Sequence, residues 1–105
     1  MASHDLIQRA GKALAEAAGA DSKVILFGSH ARGEERPDSD VDFLVIEPEV
    51  ENRHEEWGRL RRAVDGFLLP VDIIVVDEAL AERRAKVPGT TVFHALRDGE
   101  VIAHP

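Results

Sequence analysis

The sequence predicts an α/β domain (α+β in its segregated form), a small mixed β-sheet covered by helices. Three observations support this. Segments with helical spacing are interleaved with short runs of Val, Ile and Leu, which suit strands buried on both faces. At 105 residues the chain suits one domain able to bury a core without disulfide staples. Hydrophobic residues at 44% and charged residues at 31% give the balance of an ordinary globular protein. No repeat, low-complexity stretch or composition shift divides the chain, so residues 1–105 are read as a single domain.

The elements follow in order. From Ser3 to Ala18, residues Leu6, Ile7, Ala10, Ala13, Leu14, Ala17 and Ala18 recur at helical spacing, with Ser3 as N-cap and Gly19 as the stop. Lys23–Phe27 is a short buried-strand pattern that ends abruptly at Gly28-Ser29. The stretch Gly33–Ser39 is rich in turn formers and charge and reads as a loop. A second strand covers Val41–Ile46 and is broken by Pro48. A helix over about Asn52–Gly66 carries Trp57, Leu60, Val64 and Phe67 on one stripe, and Asn52 with Glu55 resembles a capping box. A third strand runs over Val71–Val76. Asp77 caps a helix extending to Lys86, and Pro88-Gly89 separates it from a short helix ending near Gly99. The tail Glu100–Ala103 is a short edge strand.

Composition removes several function classes. Without cysteine there is no disulfide, thiolate nucleophile or cysteine zinc site. No apolar run approaches the length of a membrane span, and MASHDLIQRAGK lacks the basic start and apolar core of a signal peptide, so a cytoplasmic location is expected. Twenty acidic against 13 basic residues give a net charge of −7, which disfavours bulk binding of DNA or RNA. A small phosphorylated ligand remains compatible, because a divalent metal can supply the positive charge locally.

Candidate chemistry collects at the strand ends. Gly28 permits a tight turn, and a short helix beginning at Ser29 would aim free N–H groups at an anion. Taken alone, such a turn is more often structural. In Asp40-Val41-Asp42 the carboxylates share one strand face with Leu44 and Ile46. Carboxylates that close repel each other unless a cation sits between them, and an all-oxygen cluster suits Mg²⁺. For a lone Asp-x-Asp, a polar strand start facing solvent is the commoner explanation. Asp72 then repeats the pattern, sharing a face with Ile74 and Val76. If the two strands are neighbours, Asp72 joins Asp40 and Asp42 in one acidic cluster.

Gly28-Ser29, Arg32-Gly33 and Ser39-Asp40-Val41-Asp42 resemble the signature of the DNA polymerase beta-like nucleotidyltransferase superfamily. They are most similar to its minimal nucleotidyltransferase (MNT) branch, with Gly-Ser, ten residues, then Asp-x-Asp. Each fixed position would match by chance at roughly 5–10%, so the joint match is specific. The resemblance implies the nucleotidyltransferase fold, with Gly28 and Ser29 holding the triphosphate of ATP. It implies that Asp40, Asp42 and Asp72 coordinate two Mg²⁺ ions, with Asp72 either a ligand or an aid to deprotonation of the acceptor. Arg32 and Ser39 match the signature as nucleotide-side residues. Arg32 either neutralises phosphate or pairs with an acidic neighbour.

The remaining polar residues read as structural. His4, His30, His54, His94 and His104 show no metal-ligand spacing, and His30 is expected to be a bystander. Asp38 belongs to the Pro37 turn, and Trp57 and Phe67 fit a core-facing stripe. Arg59, Arg61 and Arg62 lie on an exposed helix surface. The resemblance implies an MntA-type antitoxin that transfers AMP from ATP to a tyrosine of a HEPN-family toxin, within a hetero-oligomer. Two alternatives stand beside it. One is a small-molecule nucleotidyltransferase of aminoglycoside type, for which the chain has little room; the other is a non-catalytic antitoxin acting by contact.

Overall fold

The computed structural model describes residues 4–36 and 39–103. The expected N-cap Ser3, the Pro37-Asp38 turn and His104 lie outside the described residues. The chain runs α1 (His4–Ala18), β1 (Lys23–Phe27), α2 (Ser29–Arg32), β2 (Val41–Glu47), α3 (Arg53–Ala63), β3 (Val71–Asp77), α4 (Glu78–Arg84), α5 (Thr91–Asp98) and β4 (Glu100–Ala103). A 3₁₀ turn over Asp65–Phe67 follows α3.

The four strands form one mixed sheet in the order β3-β2-β1-β4. β1 pairs antiparallel with both β2 and β4, while β2 and β3 are parallel. A parallel pair needs a crossover, and α3 supplies it. Strand alternation sorts the core into two layers. Val24, Leu26, Val41, Phe43, Val45, Ile73 and Val75 face one way, packing with Ile7, Ala10 and Leu14 of α1 and Leu60 of α3. Ile25, Leu44, Ile46 and Val76 face the other way, against Ala81 of α4 and Val92 and Ala95 of α5. Both faces are covered, which explains why the strands carry so little polar alternation.

The helix signals act as their chemistry requires. Asn52 Oδ1 accepts from the Glu55 N–H at 3.1 Å, Asp77 Oδ1 from Leu80 N–H at 2.8 Å, and Thr90 Oγ1 from Phe93 N–H at 3.1 Å. Each satisfies a first-turn donor that has no acceptor within its helix. α4 ends at Arg84 rather than Lys86, because the next N–H groups, of Lys86 and Val87, bond three residues back instead of four. Trp57 departs from the expected core stripe. It is 40% exposed, and its indole N–H donates to the Ile73 carbonyl at 3.1 Å. It thus lies along the outer edge of β3, where an unpaired strand backbone needs cover. Phe67, Leu60 and Val64 do pack into the core.

Candidate active site

The site forms where β1 ends and β2 and β3 begin. Antiparallel pairing sets Phe27 beside Asp42, and parallel pairing sets Asp42 beside Asp72. Neighbouring strands lie about 4.8 Å apart, so in-register carboxylates on one face are forced close together. That face belongs to the layer of Leu44, Ile46 and Val76, beneath α4 and α5. The matching faces expected from alternation are therefore realised.

Gly28 follows directly. Its φ of 76° and ψ of −155° lie in a region that only glycine occupies readily. A Cβ built on it would run into the Asp42 carboxylate. The backbone turn and the Asp42 side chain are thus packed against each other, and a side chain at position 28 would displace the carboxylate. α2 starts at Ser29, and the N–H groups of its first turn have no acceptor inside so short a helix. They are donors at the turn that packs against Asp42.

Burial, followed by the charges of Asp72 and then Asp40, raises the Asp42 carboxyl above its ordinary range, while His30 and Arg32 pull it down. Asp40 sits just before β2 and is exposed, as is Asp72. Asp42 is the half-buried member of the group. Among the described residues, no three His, Asp or Glu side chains converge so as to hold a metal ion by themselves. Mg²⁺ ordinarily takes one or two carboxylates and completes its shell with water and substrate phosphate. The all-oxygen pair Asp42 and Asp72 fits that demand, and a cation there would relieve the repulsion that raises Asp42.

The other signature residues occupy the rim. Arg32 Nε pairs with Glu34 Oε2 at 3.4 Å, so of its two expected roles the pairing with an acidic neighbour is the contact made. The Ser39 hydroxyl accepts from the Arg36 N–H at 2.8 Å and closes the loop before Asp40. His30, expected to be a bystander, has Nε2 3.3 Å from the Ser39 carbonyl. It ties α2 to the segment that carries Asp40, so it positions the acidic cluster relative to the Gly28 turn. One clue is local, since His30 sits inside the turn, but a bond between residues nine positions apart leaves no mark in spacing. Asp77 is the cap of α4, as expected.

Comparison with known proteins agrees with this fold. The model of the family described as nucleotidyltransferase domain matches residues 7–96. A candidate nucleotidyltransferase from Sulfolobus solfataricus is similar with a TM-score of 0.58 and 28% identity, over 75% of this chain and 70% of its own. A toxin–antitoxin structure with AMP-PNP is similar with a TM-score of 0.63 over 99% of this chain and 75% of its own; at 16% identity that likeness is one of fold. No curated protein matches the chain.

Proposed function

The chain belongs to the nucleotidyltransferase domain family, and on that premise we propose that it transfers AMP from ATP to a tyrosine hydroxyl of a HEPN-family partner, as the antitoxin of a toxin–antitoxin pair. The observation that carries the reading is the packing of the Gly28 turn against Asp42, with Asp72 in register beside it. Phosphate donors and metal-competent carboxylates thereby meet within one strand spacing. The structural neighbour with AMP-PNP is a toxin–antitoxin, which supports both the adenine nucleotide and the protein partner.

In the proposed reaction the tyrosine oxygen bonds to the α-phosphorus as the bond from that phosphorus to pyrophosphate breaks. Asp42 and Asp72, with Asp40 alongside, would hold Mg²⁺, which would neutralise charge on the triphosphate and the leaving pyrophosphate. Ser29 and the first-turn N–H groups of α2 orient the phosphates. Asp72, exposed where an acceptor can approach, takes the hydroxyl proton. His30 keeps the Asp40 segment against α2. The protein acts by positioning and by charge stabilisation.

A protein acceptor is favoured over a small molecule by the toxin–antitoxin character of the neighbour that carries AMP-PNP. Isothermal calorimetry tests the nucleotide half of this reading. ATP and Mg²⁺ are expected to bind together and each weakly alone, because the carboxylates repel triphosphate until metal arrives. Equally tight ATP binding in excess chelator would overturn it. A neighbouring reading frame for a HEPN protein distinguishes the protein acceptor from an aminoglycoside-type substrate.

A further inference from the structure

The strand that carries Asp42 ends on a second unusual carboxylate. Glu47 is the last residue of β2 and only 6% exposed, and its Oε2 is buried without a hydrogen-bond partner. Among the described residues it is the side chain with such an orphaned atom. Buried polar groups are almost always satisfied, and leaving one unpaired is costly. Its neighbour Glu56 accepts from Arg59 with both oxygens, at 2.8 and 2.6 Å, and pairs with Glu47 only while Glu47 carries a proton to donate. As an ionised carboxylate, Glu47 lacks a donor.

A cleft of about 670 Å³ opens over this position, between the end of β2 and α3. That volume falls within the range of ligand pockets and far exceeds a bare ion. Glu47 lines it together with Glu49, Glu51, Glu55 and Glu56. The cations on its wall are Arg59, already committed to Glu56, and Arg62. Such a lining repels phosphates and carboxylates and favours positive charge. No three metal ligands converge among the described residues, so size and donor geometry both point away from a metal. An organic cation with several N–H donors meets every requirement.

We propose that this cleft is a second binding site that receives a guanidinium or primary ammonium group onto the Glu47 carboxylate. It is separate from the nucleotide site. Asp42 and Glu47 are five positions apart on β2, about 16 Å at the rise of a strand. The odd spacing also places them on opposite sheet faces, Asp42 under α4 and α5 and Glu47 towards α3.

The cation-free site holds its own proton. Burial, then the hydrogen bond and charge of Glu56, push the Glu47 carboxyl up to about 8, against the opposing pull of Arg59. Asp77 lies in register on β3 but is occupied in capping α4, and Glu49, Glu51 and Glu55 add like charge from the cleft wall, which His54 and Arg62 of α3 also line. A bound cation favours the ionised carboxylate, so binding near pH 7 releases the Glu47 proton to solvent.

Calorimetry on the full chain tests this, with N-acetyl-arginine amide and spermidine as separate probes in buffers of different ionisation enthalpy. Saturable binding with proton release is expected for at least one. Tighter binding of spermidine identifies a free polyamine; tighter binding of the arginine amide identifies a basic side chain of a partner protein. Glu47→Gln should weaken binding by about ten- to a hundredfold and abolish the proton release. Should that variant not fold, the wild-type pH series decides. Affinity for the arginine amide, whose charge is constant, should climb by up to about tenfold per pH unit towards pH 8 and then level. No saturable binding at millimolar probe, unchanged binding in Glu47→Gln, or a flat pH series would each overturn the proposal.

Discussion

Replacing Gly28 by alanine probes the junction on which the active site depends. Two penalties arise, and they are separable. The backbone at φ 76° and ψ −155° is strained for any residue with a Cβ, at a cost of about 1–3 kcal/mol. The added Cβ also meets the Asp42 carboxylate, which must shift from its position in the cluster. For a chain of this length each kcal/mol moves the melting temperature by about 4–8 °C, so Gly28→Ala should melt about 4–24 °C below wild type and lose nucleotide transfer. A double-mutant cycle with Asp42→Ala resolves the two contributions. With the carboxylate gone the contact penalty disappears, and Gly28→Ala should cost less than in the wild-type background. Gly66→Ala is the control, since a Cβ there meets nothing within 4 Å and the backbone is not left-handed; it should stay within about 1 kcal/mol of wild type. An unchanged melting temperature for Gly28→Ala, or an equal cost in both backgrounds, would refute the packing of turn against carboxylate.

Asp42→Asn should abolish metal-dependent transfer while the metal-free protein becomes at least as stable as wild type. Because burial, Asp72 and Asp40 raise the folded pKa of Asp42 above its ordinary 3.8, the native state holds the proton longer than the unfolded chain. Its destabilising effect is therefore absent below pH 3.8 and grows as pH rises through the folded pKa; denaturant titrations of both proteins across that window should diverge in this sense. Glu47→Gln makes a second pH test. With the Glu47 folded pKa at about 8 against an ordinary 4.5, wild type should lose stability as pH rises from 5 to 8, and the glutamine variant should not. Asp77→Ala removes the cap on α4 and should cost about 0.5–2 kcal/mol in chemical denaturation while sparing transfer; lost activity in a folded Asp77→Ala protein would make it a catalytic acid instead.

What the sequence disclosed depended on whether a feature was local. Alternation along Val41–Ile46 and Val71–Val76 placed Asp42 and Asp72 on equivalent faces, and the structure joins them in register. Caps were legible at Asn52 and Asp77 because a side chain and an N–H three residues on suffice to make them. Strand direction was not legible, since the residues of β1 alternate identically whether it runs with or against β2. Trp57 has the spacing of a core residue but lies over the free edge of β3, which sequence could not show to be an edge. Glu47 before Pro48 looks like the polar end of a strand. Only the packing of α3 over β2 reveals that it is buried. The tie between His30 and Ser39 likewise exists only once the loop has folded back.

The proposed transfer of AMP to a partner tyrosine through the acidic cluster is open to a label-transfer experiment. The chain is purified together with the product of its genomic neighbour and given Mg²⁺ and ATP labelled at the α-phosphate. Intact mass and peptide mapping then locate the label. The predicted result is one or more AMP groups on tyrosine of the partner, absent with Asp42→Asn and retained with Asp77→Ala. An unmodified partner in a stable complex with the wild-type chain, under the same Mg²⁺ and ATP, would contradict it.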